Sequence, residues 1–455
     1  MTRLFLAATL ATFIAGPAAA TDVSALIRDK GLAGAEAALA NASDPSDRFA
    51  LAGVIFLGAV EKSWQTRWRF GLSQPGPGIP GMQADLPENP APEPLEADTV
   101  NAVFTDLIAG MDRADAVLAT LPAEADPAFS VTVSDIWFDV NGNGTRDGGE
   151  DFADLALATL MSPWQVEQMR QDAAANPALP NPLTARIRFD AADADWLRAY
   201  THLLRGASET VLAFDPAPAI ADVLALRKAL ADQNGVAAEP AVVTDEQRRG
   251  IEADIRAANP DYSDAEVAAA VESVIADMQS LDNLAWEEQQ RQTFGGWVDL
   301  AAVVLQTLDH QPDAERIGRA RDHFLAMVAL NRSFWTKVAT ETDNEAEWIP
   351  NPQQTAALGF SLPQDADRLW LSVLADGEKL LKGELLVPYW RFRPGHGVNL
   401  GKWIDAPQPV NVIAWIQGSA TLPYAETGTV MSDVNWRRFE QLVEGRATLF
   451  AILLN

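Results

Sequence analysis

Asp44-Pro-Ser46-Asp47-Arg-Phe49-Ala-Leu51-Ala-Gly53-Val54-Ile55-Phe56-Leu57-Gly-Ala-Val60-Glu-Lys-Ser-Trp64-Gln-Thr-Arg67-Trp68 is the stretch from which the architecture can be read. Asp44 followed by a proline is a helix start signal, and the apolar residues continue to Trp68. Gly53, Leu57, Val60, Trp64 and Trp68 share one face, while Val54, Ile55 and Phe56 fill the others. A helix that is apolar on nearly all sides belongs at the centre of a fold. Its apolar part, Phe49 to Val60, is too short to cross a bilayer. Trp64 and Trp68 with Arg67 and Arg69 would suit a ligand groove, but core packing with basic residues at a helix C-terminus is the expected role.

Outward from this helix, the patterning is helical almost throughout. An alanine-rich helix is expected over Val23 to Leu39, another from Glu96 to Leu121, and one from Asp190–Asp193 through Val211. Residues 219 to 310 read as helices interrupted at Pro240 and Pro260, with a capping box at Ser263 and Glu266 and a break at Gly295-Gly296. Further helices are expected over Asp313 to Thr340, Asp365 to Leu381, and Ser432 to Leu449. Gly71 to Pro94 is rich in proline and glycine and must run extended. No fixed-period repeat is present, so a solenoid is not expected. The fold class expected is mainly α, a multi-helix body with a small β insertion. The divisions are a signal peptide (1–20), N-terminal helices (21–70), a Pro/Gly-rich linker (71–95), a helical region (96–215) carrying the insertion (129–190), a second helical region (216–340) and an α+β region (341–455).

The insertion holds the chain's most specific pattern, Asp139-Val-Asn141-Gly-Asn143-Gly144-Thr145-Arg146-Asp147-Gly-Gly-Glu150. Carboxylate or amide oxygens stand at loop positions 1, 3, 5, 9 and 12, with glycine at position 6. A hard cation takes several oxygens at about 2.4 Å, and this spacing wraps a short loop around one point. Over these twelve residues the chain resembles an EF-hand calcium loop. The resemblance implies Ca²⁺ held by Asp139, Asn141, Asn143, the Thr145 carbonyl, Asp147 (through water) and Glu150. Only three of those side chains are charged, which suggests an affinity on the order of 10⁻⁴ M. Arg146 at position 8, usually an aliphatic residue facing a second hand, argues against a paired-hand domain. Phe129 to Phe138 is β-branched and aromatic and reads as a strand; Asp151 to Leu160 reads as a helix. Thr184 to Phe189 reads as a second strand pairing with the first.

Arg3, the apolar run Leu4 to Gly16 and Ala18-Ala19-Ala20 form a secretory signal, so a periplasmic or secreted location is expected, with no transmembrane segment after cleavage. The chain has no cysteine, which removes disulfides, thiolate metal sites and cysteine nucleophiles together. With 63 acidic against 34 basic residues, nucleic acid is not an expected partner, since affinity there comes from Lys and Arg neutralising phosphates.

No reaction is identified by a motif. The histidines, His202, His310, His323 and His396, are far apart in sequence, and neither a His-Glu-x-x-His helix nor a nucleophile elbow nor a phosphate loop is present. Two other segments carry chemistry. Glu341 to Pro352 is an acidic loop around Trp348, read as solvated, with a second cation or a hydrolytic carboxylate pair as alternatives. Tyr389-Trp390-Arg391-Phe392-Arg393-Pro-Gly395-His396-Gly397 reads as an edge strand, or as a platform for an anionic or sugar-like ligand. The expected function is therefore an exported calcium-binding protein with a structural or partner-binding role, catalytic residues unknown. The alternative is a hydrolase of glycans or another polar polymer with residues 341–348 and 389–397 lining one cleft. A docking role for the proline-rich segment is a third possibility.

Overall fold

The computed structural model describes residues 21–74, 84–157, 163–176, 181–234, 243–278, 281–359, 362–443 and 454. The expected signal segment, residues 1–20, lies outside them. The fold is mainly α, with two small antiparallel β pairs. Helix α1 (Val23–Leu39) is capped by the Asp22 carboxylate, which accepts the Ala25 N–H at 3.0 Å. It kinks at Gly31 (φ +66°), where the ring of Trp137 leaves only 3.1 Å for a Cβ. Helix α2 (Pro45–Arg69) is capped by Asp44, whose side chain accepts from Ser46 and Asp47. Helix α3 (Thr99–Leu118) crosses α2 so closely that a Cβ on Gly110 would lie 2.3 Å from that of Ala59.

Strand β1 (Phe129–Thr132) pairs antiparallel with β2 (Arg186–Phe189), Phe129 opposite Phe189 and Val131 opposite Ile187. Between them lie the 139–150 loop and α4 (Pro163–Ala175). Helix α5 (Ala191–Phe214) follows, then α6 (Ala217–Asn234), α7 (Asp245–Ala258), α8 (Asp264–Met278) and α9 (Leu281–Asp309). Helix α10 (Ala314–Val338) returns along α5, and α11 (Ala366–Leu381) packs on α10. The C-terminal part comprises β3 (His396–Val398), α12 (Leu400–Asp405), α13 (Val412–Gln417), β4 (Ala425–Thr427) and α14 (Val434–Leu442).

One core gathers α1, α2 and α3 around Ile136, Trp137, Phe138 and Val140, so the segment entering the loop is itself core. A second joins α5, α10, α11 and α14, and a third, through Phe49, Leu118 and Leu197, links the two. α2 buries residues on several sides, as its composition requires: Phe49, Val54, Ile55 and Trp64 are all at most 5 % exposed. The Trp64 ring packs edge-on to Phe138 at 4.6 Å, so it belongs to the core. α7 and α8 share a small core of their own, Val267, Val271 and Ile275 with Ile251 and Ile255. No helix among the described residues is long and apolar enough to cross a membrane.

Four local expectations are corrected. The strand expected over 129–138 ends at Thr132, because its partner β2 is only four residues long; a 3-10 turn follows (Val133–Asp135). The helix expected over 151–160 is a π-type turn at Ala153–Leu157, and residues 158–160 lie outside the described ones. Gly295-Gly296 does not break α9, which runs through both. Residues 389–393 form a turn, since Pro388 and Pro394 lack N–H donors and Gly395 takes φ +80°; only His396–Val398 is strand. The described part of the proline-rich segment packs on its own body. Ala84 and Leu86 are buried, and the buried Arg67 donates to the carbonyls of Gln74 at 3.1 Å and Ala84 at 2.8 Å.

Candidate metal centre

The ends of the 139–150 loop are clamped together. Phe138 N–H donates to the Glu150 carbonyl at 2.9 Å, and Phe152 N–H to that of Ile136 at 3.2 Å. The loop then turns back on its first residue. Asp139 Oδ1 accepts the Asn143 N–H at 2.9 Å and Oδ2 the Gly144 N–H at 2.8 Å. Gly142 and Gly144 have φ of +73° and +76°, which L-residues with a Cβ adopt only with strain. Asn141 Oδ1 accepts from Asn143 N–H at 3.0 Å, and Asn143 Oδ1 from Thr145 N–H and Thr145 Oγ1, both at 2.7 Å.

Asp147 Oδ2 accepts the amide groups of Asn141 (2.8 Å) and Asn143 (2.7 Å), which hold its carboxyl below the usual range. Glu150, 1 % exposed, accepts Val140 N–H at 2.9 Å and Asp147 N–H at 2.8 Å through different oxygens. Burial raises its pKa against those donors. Arg146 turns outward, its Nε 2.7 Å from Asp151 and its Nη2 3.0 Å from the Ser134 carbonyl.

All six expected residues therefore sit in one closed loop, and their donor set is oxygen throughout, the chemistry hard cations take. Their three carboxylates do not form a tight triad by themselves: Asn141 and Asn143 stand between them, with their amide nitrogens turned to Asp147. Half-rotations of both amides would present oxygens in place of nitrogens at that point, and would give up the bonds their oxygens now accept from Asn143 and Thr145.

Two residues under the loop belong to no sequence motif. Glu61 Oε2 accepts the Asp139 N–H at 2.8 Å, and Gln65 Nε2 donates to the Asp139 carbonyl at 2.7 Å. Both come from α2, so the central helix seats the loop. Burial pushes the Glu61 carboxyl up to about 7, with the charges of Asp139 and Glu150 adding to the rise. The available signal was Glu61, an acid placed directly after the apolar run Phe49 to Val60.

A second acidic group appears where the sequence offered only half of it. Among the described residues, one set of three carboxylates has oxygens all within 4.8 Å of one another: Asp190, Glu341 and Glu347. Asp190 is the cap of α5, paired reciprocally with Asp193. Arg188, Nη1 3.3 Å from Asp190 and 3.0 Å from Asp343, is the cation among them. The acidic loop is drawn in by backbone pairing, Arg188 N–H to the Ala346 carbonyl at 2.9 Å, with Ala346 at φ +62°. It is therefore partly buried, where a solvated loop was expected, and Glu347 is 2 % exposed.

Burial pushes the carboxyl of Glu341 up to about 7, and those of Asp190, Asp193 and Glu347 above their ordinary range; neighbouring acids add to each. A carboxyl with a raised folded pKa stabilises the fold fully below its unfolded pKa and loses that contribution as pH rises through the folded value. Glu341→Gln should therefore match the parent in denaturant midpoint near pH 4.5. At pH 8 it should be more stable by on the order of 1 kcal/mol, after screening of a half-buried group is allowed for. Urea unfolding of both proteins across this range, in chelator, checks the difference.

The other chemistry-bearing segments are placed elsewhere. Tyr389 donates to the Ile416 carbonyl at 2.8 Å, Arg391 lies 4.5 Å over the Trp390 ring, and Trp390 and His396 are exposed. Among the described residues, no hydrogen bond, ion pair or ring contact joins 389–397 to 341–348. His202 and His323, 121 residues apart, meet across α5 and α10 with their Nδ1 atoms 3.0 Å apart. Burial depresses both, His202 to about 4, with Arg205 adding to the effect. Such a contact needs one ring as N–H donor and the other as acceptor. No family model, no curated protein and no solved structure matches the chain.

Proposed function

We propose that the protein is an exported, calcium-stabilised helical protein in which Ca²⁺ bound by residues 139–150 fastens the β insertion to the central helix. The observation that carries this reading is the closed loop itself: Asp139, Asn141, Asn143, Thr145, Asp147 and Glu150 occupy one turn-rich loop. Its first residue is held at both backbone groups by Glu61 and Gln65 of α2. Bound calcium would supply a fixed positive charge among Asp139, Asp147, Glu150 and the nearby Glu61. The chain's own residues supply the seat, since Val140 inside the loop is fully buried. A structural ion suits this placement, because the residues on either side of Asp139, Phe138 and Val140, are core residues.

Isothermal titration of the chelator-treated full chain with CaCl₂ tests the reading. One site with a Kd on the order of 10⁻⁴ M is expected, absent from the Asp139→Ala/Asp147→Ala variant. Unchanged binding by that variant would move the ion elsewhere.

A hydrolase is the second reading. The convergence of Asp190, Glu341 and Glu347 with raised pKa values favours it, since a carboxyl titrating near neutrality can act as general acid or base. The aromatic–arginine segment that was to complete its cleft packs on α13 instead.

A further inference from the structure

We propose that the apolar face of α9, extended by α13, is the interface of a homodimer in which two copies of α9 pack antiparallel across a twofold axis near Ala301. Phe294, Trp297, Val304 and Leu305 stand on the outer side of α9 and are 70, 68, 40 and 50 % exposed. Helix α13 adjoins its C-terminal end, through the Val410 N–H to Leu308 carbonyl bond at 2.6 Å, and adds Ile413 and Ile416, 79 and 65 % exposed. Together these side chains present roughly 700 Å² of apolar surface. That is more than monomers usually leave in one patch and close to the share one partner contributes to a standard interface.

Two further features point to a second copy as the occupant. The first is charge. Two molecules carrying −29 each repel over most of their surface. Residues 294–308 contain one ionisable group, Asp299, and it is already paired with Arg227 at 2.7 Å; residues 410–423 contain none. The second is shape. Beside the protruding aromatic pair, a shallow depression of about 310 Å³ is lined by Trp297, Leu300, Ala301, Val304 and Leu305. An antiparallel twofold arrangement sets the aromatic half of each helix against the aliphatic half of its mate, which is the reciprocity an isologous contact requires.

Sedimentation equilibrium of the full chain, from nanomolar to roughly tens of micromolar protein, tests this directly. The expected mass is twice that of one chain at the upper end. Trp297→Glu/Val304→Glu, at two exposed positions, is expected to halve it while leaving the helical circular dichroism unchanged. Because the chain has no cysteine, an Ala301→Cys variant gives an independent readout: mild oxidation should yield a covalent dimer, and Ala257→Cys on α7 should not. A monomer at every concentration overturns the proposal, as does a dimer that survives the double substitution. So does a monomeric chain that co-sediments with phosphatidylcholine vesicles, which would make the face a lipid contact.

Discussion

Raising calcium from chelator to a hundredfold excess over Kd is expected to stabilise the full chain by about 2.7 kcal/mol, the linkage value for an ion that binds only the folded state. The structure says where that free energy would be felt. Phe138 and Val140, which bracket Asp139, are at most 1 % exposed and belong to the core built on α1 and α2. Opening the loop therefore disturbs a core and not merely a surface turn. Asp147→Ala is the cleaner variant, because Asp147 is exposed; it should lose most of the calcium response with little change in chelator. Glu150→Ala should also cost about 1–3 kcal/mol without calcium, since it leaves the buried Val140 N–H and the part-buried Asp147 N–H without their acceptor. Denaturant unfolding of the three proteins with and without calcium separates the two effects. A parent midpoint that ignores calcium would mean that occupancy is not coupled to folding.

Arg205→Met should destabilise the protein by about 1–3 kcal/mol, because it removes a buried guanidinium from Asp115, which keeps Arg198, and from Asp112, which is 56 % exposed. Arg205 is 6 % exposed on α5 and bridges to α3, with Nη1 2.8 Å from Asp112 and Nη2 3.0 Å from Asp115. Asp115 also receives Arg198 at 2.8 Å. Burial alone would raise the Asp115 carboxyl, but the two guanidiniums together hold it below its ordinary value. Losing Arg205 leaves Arg198 to offset that burial. Arg205→Met/Asp115→Leu should recover part of the loss, because two apolar side chains replace the pair. Urea midpoints for the parent, the single and the double variant form the check. A neutral single variant would show that the polar seam between α3 and α5 is solvated.

How much could be read in advance depends on the range of the interaction. The helix starts were legible because capping is local: Asp44, the Asp190–Asp193 pair and Ser263 with Glu266 each act within three residues. The pairing of β1 with β2 was also legible, since only two short β-branched or aromatic runs flank the loop. Failures occurred where local preference met a competing contact. Glycines mark breaks on average, yet Gly295-Gly296 sits inside α9, a 29-residue helix that packs on α6. The 389–393 segment looked like a strand by alternation, but its flanking prolines deny it ladder donors.

The sequence by itself determined the mainly α fold, the central place of α2 and the one loop whose oxygens recur at cation-binding spacing. These rest on periodicity and on residue types within a dozen positions. Only the tertiary structure decided that Glu61 and Gln65 seat that loop, and that Asp190 joins Glu341 and Glu347. It also brought His202 to His323 and left Phe294 and Trp297 of α9 exposed. Each of those depends on where separate helices cross, and crossing is settled by packing summed over whole faces. A pair of side chains 121 or 151 positions apart carries no local mark of its partner.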